Sequence, residues 1–167
     1  LCKYFNELFV RWYMDDIVEG DDLIAYYCQN KKPNEKVVIV TGDGDISQLL
    51  QDDICVYNLQ LKKYVTNKTY KEHFGMPCEN VLIKKIFCGD TSDNIPGVPK
   101  VGEKTAIGLM TSYGSIDGIY EHIEEITGAT YTKLIDGRDS AFVGREIATR
   151  YKEVPVDFDI EDILLKD

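Results

Sequence analysis

The chain has 167 residues, 44% of them hydrophobic and 29% charged, which is the composition of a globular protein and excludes a disordered one. Its formal net charge is −10, whereas a generic nucleic-acid-binding domain would be basic, so the placement of the acids decides what the charge means. No apolar run approaches the roughly 20 residues of a membrane span, and we expect no membrane partner. Five scattered cysteines without a C-x-x-C pair predict free thiols in a reducing compartment, and hence a cytoplasmic location.

The first predicted element is an amphipathic helix over residues 2–14. Phe5, Leu8 and Trp12 follow the spacing of a helix face, so we expect them in the core. The sequence Glu-Gly-Asp-Asp at residues 19–22 begins a second predicted helix. Asp21 and Asp22 would therefore lie in its first turn. The helix dipole stabilises acids at that position. Capping and the binding of a cation both remain open explanations for three acids within four residues.

A β-branched run at residues 37–40 predicts a buried central strand of a parallel sheet. The sequence Thr-Gly-Asp-Gly-Asp follows at once, so Asp43 and Asp45 would lie outside the carboxyl end of this strand, where open α/β sheets place their sites. Two shorter strands and then mostly helices follow. The prediction is an α/β fold, with a mainly parallel sheet flanked by helices over residues 1–77 and a helical region over residues 78–167.

Residues 89–106 join these two regions. The segment begins with Asp90 and Asp93, continues through a turn rich in Gly and Pro, and ends in a helix that starts at Glu103. Backbone N–H groups at a helix start bind phosphate, and Lys100 and Lys104 add positive charge. The composition is equally compatible with a tight helix–helix connection.

Several alternative sites can be excluded. An EF-hand loop starting at Asp43 would need glycine where Gln48 stands, and a P-loop is interrupted by Glu103. His73 and His122 are isolated, so no zinc site or Ser/His/Asp set is indicated. What remains is a set of clustered carboxylates, which suit hard divalent cations, and two such ions need several carboxylates to balance their charge. The candidate ligands are Glu19, Asp21, Asp22, Asp43, Asp45, Asp90 and Asp93.

Three motifs resemble those of one family. Residues 19–22 resemble the Glu-Ala-Asp-Asp motif of the 5′-nuclease superfamily, and residues 41–45 resemble its Thr/Ser-x-Asp-x-Asp motif. Residues 89–106 resemble its helix–three-turn–helix signature, Gly-Asp-x-x-Asp-Asn-Ile-Pro-Gly-Val followed by Gly-x-Lys-Thr-Ala. The superfamily comprises flap endonucleases, phage 5′→3′ exonucleases and the 5′-nuclease domain of bacterial DNA polymerase I. The resemblance covers nearly the whole chain and implies a PIN-like core.

The resemblance implies a structure-specific 5′ nuclease of DNA replication or repair. Such an enzyme uses two Mg²⁺ or Mn²⁺ ions to hydrolyse DNA at a 5′ flap, a nick or a free 5′ end. Glu19 and Asp21 would belong to the first metal site, with Asp22 near it. The second site would use Asp43, Asp45, Asp90 and Asp93, and the implied catalytic residues are Asp21, Asp43, Asp45 and Asp90. The implied DNA-binding residues are Gly97, Lys100, Gly102, Lys104 and Thr105, and the backbone of Val98 and Val101 would bind K⁺.

The chain departs from the family in one important respect. Family members supply two further aspartates from strands ahead of the Glu19 motif, and only 18 residues precede Glu19 here. We therefore expect an incomplete first metal site and an N-terminal segment outside this chain. Separately, we expect the protein to be a monomer. A catalytically incomplete DNA-binding fragment is the alternative function. A PIN-like metal-dependent RNase is a third, and the duplex-binding turn argues against it.

Overall fold

The computed structural model describes residues 2–8 and 10–149, which form two compact units. One unit contains the described residues up to Val38, and the other is Ile39–Thr149. In the described part of the chain, no helix is both long and apolar enough to cross a membrane.

The first helix is shorter than predicted. Helix α1 is Cys2–Glu7, and just beyond it the Val10 N–H bonds to the Phe5 carbonyl, five residues back, so the regular helix ends. The side chains of Leu8 and Trp12 are 69% and 40% exposed. The prediction that these two residues lie in the core is therefore wrong. The regular helix ends before it reaches them, so they do not form one apolar helix face with Phe5.

The second helix agrees with its prediction. Helix α2 is Gly20–Asn30, with Glu19 at its N-cap and Asp21 and Asp22 in its first turn. The Glu19 side chain makes no capping hydrogen bond. One face of α2 buries Ala25 and Cys28, which are three residues apart as helical packing requires.

The sheet has three strands, β1 (Val37–Thr41), β2 (Ile54–Asn58) and β3 (Lys63–Val65), in that order. The β2 and β3 strands pair antiparallel. The predicted strand β1 is confirmed, but the prediction that it is buried on both faces is wrong. Ile39 is buried, whereas Val38 and Val40 are 48% and 62% exposed. Side chains alternate between the two faces of a strand, and only the Ile39 face is covered.

Helices dominate the second unit, which confirms the α/β class with a helical second half. They are a 3₁₀ helix (Asp45–Leu49), α3 (Asn67–Phe74), α4 (Glu79–Cys88), α5 (Glu103–Tyr113), α6 (Ile116–Glu121), a 3₁₀ helix (Ile123–Glu125), α7 (Gly128–Asp136) and α8 (Arg138–Ala148). Helix α4 packs against both α5 and α8 and brings Ile86 and Phe87, fully buried, into the core. The predicted boundary between residues 77 and 78 falls between α3 and α4 and stays a prediction. The last part of the predicted helical region, residues 150–167, lies outside the described residues.

The turn between α4 and α5 depends on glycine. Gly97 has φ +70°, a left-handed conformation that favours glycine. A Cβ added there would lie 2.6 Å from the Gly89 nitrogen and 2.8 Å from the Cys88 carbonyl carbon. Next to it, the Val98 N–H donates to the Phe87 carbonyl at 2.8 Å. The turn is thus pressed directly onto the end of α4.

We predict that Gly97→Ala lowers the free energy of unfolding by about 3 kcal/mol, because it combines a strained backbone with a clash against main chain. Gly114→Ala is the matched control. Gly114 has a similar φ of +74°, but nothing lies within 4 Å of an added Cβ, so its cost is about 1 kcal/mol. Denaturant unfolding measures both variants, and equal losses would contradict the close packing at Gly97.

Candidate functional site

A buried lysine gathers carboxylates from two separate loops. Lys85, on α4, is only 8% exposed, and its Nζ donates hydrogen bonds to Oδ2 of Asp45 and Oδ2 of Asp93. The same Nζ lies 3.5 Å from Oδ2 of Asp90. We call these four residues the lysine–carboxylate cluster.

The side chains of α4 point in different directions, and Lys85 is the one that faces the three carboxylates. Ile83, Ile86 and Phe87 are buried in the hydrophobic core, and Lys84 pairs with Glu103 on α5 at 2.8 Å. Lys85 is left to face the 3₁₀ helix that begins at Asp45, with which α4 is in contact.

The loop after α4 supplies the other two carboxylates. Helix α4 ends where the Gly89 N–H donates to the Lys85 carbonyl at 2.9 Å, and Asp90 follows directly after this cap. Asp90 and Ile95 then exchange two backbone hydrogen bonds of 3.0 and 2.8 Å. This bridge closes a tight loop and holds Asp93 within reach of Lys85.

The charges in the cluster do not balance. One ammonium (+1) faces three carboxylates (−1 each), so the formal charge is −2. Burial alone would lower the pKa of Lys85, but the hydrogen bonds to Asp45 and Asp93 outweigh it, and the pKa is raised. Hydrogen bonds from the Ser92 hydroxyl and the Ser92 backbone N–H, with Lys85 nearby, lower the pKa of Asp90. At neutral pH the cluster therefore contains a charged ammonium and an ionised Asp90.

Asp43 lies beside this cluster in sequence but has a different local role. It is exposed, its N–H donates to Oγ1 of Thr41 at 3.0 Å, and its Oδ1 accepts from the Asp45 N–H at 2.9 Å. These two bonds order the loop after β1. They fix the backbone from which the Asp45 carboxylate projects towards Lys85.

The candidate ligands divide between the two units. Glu19 is exposed, and Asp21 and Asp22 are half-buried in the first turn of α2, all in the first unit. Asp43, Asp45, Asp90 and Asp93 lie in the second unit. A shared two-ion centre built from both sets stays a prediction.

The donors of the cluster suit a divalent ion in kind. Carboxylate oxygens are the ligands that Mg²⁺ and Mn²⁺ prefer, and here three of them already share one cation. That cation is the Lys85 ammonium. Among residues 2–8 and 10–149, no three Asp, Glu, His or Cys side chains are arranged to surround a metal ion directly.

The turn residues predicted to bind DNA form one partly exposed segment. Lys100, Gly102 and Lys104 are exposed, Thr105 is half-buried, and Gly97 is buried against α4. Lys100 adopts φ +62°, an uncommon conformation for a residue with a side chain. Their role in binding DNA stays a prediction.

Val98 and Val101, predicted to bind K⁺ through their backbone, have buried side chains. The Val98 carbonyl accepts from the Val101 N–H at 3.1 Å. Nothing in this geometry tests the K⁺ prediction.

Sequence reasoning missed Lys85. The one available signal is a lysine between the apolar residues of α4, five positions before Asp90. Lys84 stands beside it and looks identical in sequence, so the pattern alone does not show which lysine points inward.

Two family models together match the entire chain. Residues 1–75 match the 5′-3′ exonuclease N-terminal resolvase-like domain, and residues 76–167 match the 5′-3′ exonuclease C-terminal SAM fold. A 5′-3′ exonuclease of Buchnera aphidicola subsp. Schizaphis graminum is 34% identical over 99% of this chain and 61% of its own length. DNA polymerase I of Caldicellulosiruptor bescii is 34% identical over 89% of this chain and 18% of its own length. The chain thus spans less than two thirds of these relatives.

Solved structures show the same fold. T5 5′-exonuclease with bound zinc superimposes with a TM-score of 0.70 at 23% identity, over 81% of this chain and 51% of that one. A T5 D15 flap endonuclease complex with DNA and metal ions gives a TM-score of 0.69 at 22% identity, over the same shares of the two chains. With both halves matched by the models of one family, the chain belongs to the 5′-3′ exonucleases.

Proposed function

We propose that the protein is a Mg²⁺-dependent 5′ nuclease that hydrolyses DNA phosphodiesters at a 5′ flap, a nick or a free 5′ end. The observation that supports this most is the convergence of Asp45, Asp90 and Asp93 on one cation position. The relatives named above are 5′-3′ exonucleases and DNA polymerases. Metal ions are bound in one T5 structure and both DNA and metal ions in another.

The proposed roles follow from where the carboxylates lie. Asp45, Asp90 and Asp93 would hold one ion, with Asp43 ordering their loop and completing the set. Glu19, Asp21 and Asp22 would belong to the other ion. When bound, a divalent ion of this kind activates water and stabilises the charge on the leaving oxygen. The implied catalytic residues are Asp21, Asp43, Asp45 and Asp90.

The turn would hold duplex DNA through its phosphates. Its exposed lysines, Lys100 and Lys104, supply positive charge, and the first N–H groups of α5 point out of the same segment. The carboxylate of Glu103 lies in that first turn and forms an ion pair with Lys84 at 2.8 Å. Contacts of this kind position a duplex without reading its sequence, which suits a structure-specific enzyme.

A catalytically incomplete DNA-binding protein is the second candidate function. One observation favours it: within the described residues, no three potential ligands surround a metal position directly. Mg²⁺-dependent cleavage of a 5′-flap DNA by this 167-residue chain would exclude it. An assay of DNA flaps against RNA flaps separates both candidates from an RNase. We further propose that the protein acts as a monomer in the cytoplasm of a bacterial or phage-infected cell.

We predict that Asp43→Asn or Asp90→Asn abolishes cleavage of a 5′-flap DNA and spares its binding, because each removes a charge from the metal ligands and no contact to DNA. Cleavage and binding are measured on the protein as its gene encodes it. Asp52→Asn is the matched control, since Asp52 is 81% exposed and pairs with Lys68 on the surface. Wild-type turnover in the Asp43 or Asp90 variant would disprove the role assigned to that residue.

We predict that Lys100→Gly weakens duplex binding and lowers the slope of log K against log salt by about 1, because one phosphate contact is lost. Lys62→Gly is the control, because Lys62 also has a positive φ, of 53°, but lies in the β2–β3 turn. Each substitution removes one charge and relaxes one left-handed residue. Equal slopes in both variants and wild type, in a salt titration, would rule out the contact at Lys100.

A further inference from the structure

We propose that Lys85 is a built-in competitor for the metal position formed by Asp45, Asp90 and Asp93. Its ammonium holds these carboxylates together in the metal-free protein and must leave them when a divalent ion binds. Lys85 is thus a positioning residue that sets the affinity for the metal. The inference rests on the proposed function, because it takes these three carboxylates to be metal ligands.

Lys85 and a bound metal ion would need the same carboxylate oxygens. The Lys85 ammonium hydrogen-bonds Oδ2 of Asp45 and Oδ2 of Asp93 and lies 3.5 Å from Oδ2 of Asp90. Mg²⁺ binds its oxygen ligands at about 2.0–2.1 Å and demands near-octahedral geometry. An ion bound to these oxygens would place its charge within a few ångströms of the ammonium, where like charges repel strongly. The two cations therefore exclude each other.

The Lys85 ammonium is shielded from solvent in its position between the carboxylates. Lys85 is 8% exposed, so its charge has little contact with water and depends on the three carboxylates. The neighbouring Lys84 shows the contrast, because its side chain is 43% exposed and pairs with Glu103 in a single surface bond. A divalent ion must therefore displace the buried Lys85 ammonium before it can bind these carboxylates. An ordinary cluster of acids on a protein surface contains no such ammonium.

The formal charge of the cluster changes when Lys85 is removed. With the lysine in place the cluster carries a formal charge of −2, and without it −3. Removing the lysine charge therefore leaves carboxylates that repel one another and attract a divalent ion more strongly. A purely structural ion pair would behave differently. Its loss would lower the stability at every metal concentration and would not raise the affinity for metal.

The test compares Mn²⁺ binding by calorimetry, and thermal unfolding with and without Mn²⁺, in four proteins. Lys85→Met removes the charge and keeps an unbranched side chain, whereas Lys85→Arg keeps the charge. Lys84→Met is the matched control on the same helix. We expect Lys85→Met to bind Mn²⁺ at least tenfold more tightly than wild type. Its Tm should be lower than that of wild type in the presence of a metal chelator and should rise more when Mn²⁺ is added. Lys85→Arg and Lys84→Met should bind it like wild type.

A double variant locates the effect. Adding Asp93→Asn to Lys85→Met should abolish the gain in Mn²⁺ affinity, because one of the released carboxylates is then gone. A gain that persists in the double variant would place the effect elsewhere and overturn the inference.

The results separate this inference from the proposed function. Equal Mn²⁺ affinity in wild type and Lys85→Met overturns the competition and leaves the metal centre standing. Failure of both proteins to bind Mn²⁺ overturns the metal centre and the competition together.

A measurement on the wild-type protein covers the case in which Lys85→Met does not fold. The buried ammonium should give a protected ¹⁵Nζ signal in NMR spectra of the metal-free protein. Addition of Mg²⁺ should remove that protection while the aspartate carboxyl ¹³C signals report loading. A protected ammonium signal that persists after the carboxyl signals have shifted would overturn the inference.

Discussion

The structure of the site depends on one buried interaction, the contact of the Lys85 ammonium with carboxylates from two loops. Asp45 comes from the 3₁₀ helix after β1, whereas Asp90 and Asp93 come from the loop after α4. Two groups of acids would repel each other without a cation between them. In the metal-free protein the ammonium supplies that cation, and the carboxylates in turn compensate its buried charge. Removal of one member of a buried ion pair leaves an uncompensated charge, which is strongly destabilising.

The same helix also supports the turn proposed to bind DNA. The Phe87 carbonyl, two residues after Lys85, accepts the Val98 N–H, and Gly97 packs on the backbone of Cys88 and Gly89. The carboxylate loop and the turn proposed to bind phosphate are therefore both held by the C-terminal end of one helix. This arrangement fixes the spacing between them through main-chain contacts, which side-chain motion does not change.

Much of this organisation is encoded in local sequence signals. Gly and Pro in residues 89–106 predicted the turn, and the β-branched run predicted β1, because both signals act within a few residues. The sequence also singled out Asp45, Asp90 and Asp93, which the fold brings together, although their role as metal ligands stays a prediction. The errors concern burial. Side chains expected in the core are exposed just beyond α1, at Leu8 and Trp12, and on one face of β1, at Val38 and Val40, because burial depends on what packs against an element. Lys85 escaped prediction for a related reason, since only tertiary packing distinguishes it from Lys84.

The most direct test of the central interaction is a high-resolution crystal structure of the protein crystallised in the presence of a metal chelator. We predict that the Lys85 ammonium lies within hydrogen-bonding distance of both Asp45 and Asp93, with Asp90 beside it. A structure in which Lys85 extends into solvent, with the loops of Asp45 and Asp93 separated, would contradict the proposed central role of the Lys85 ammonium.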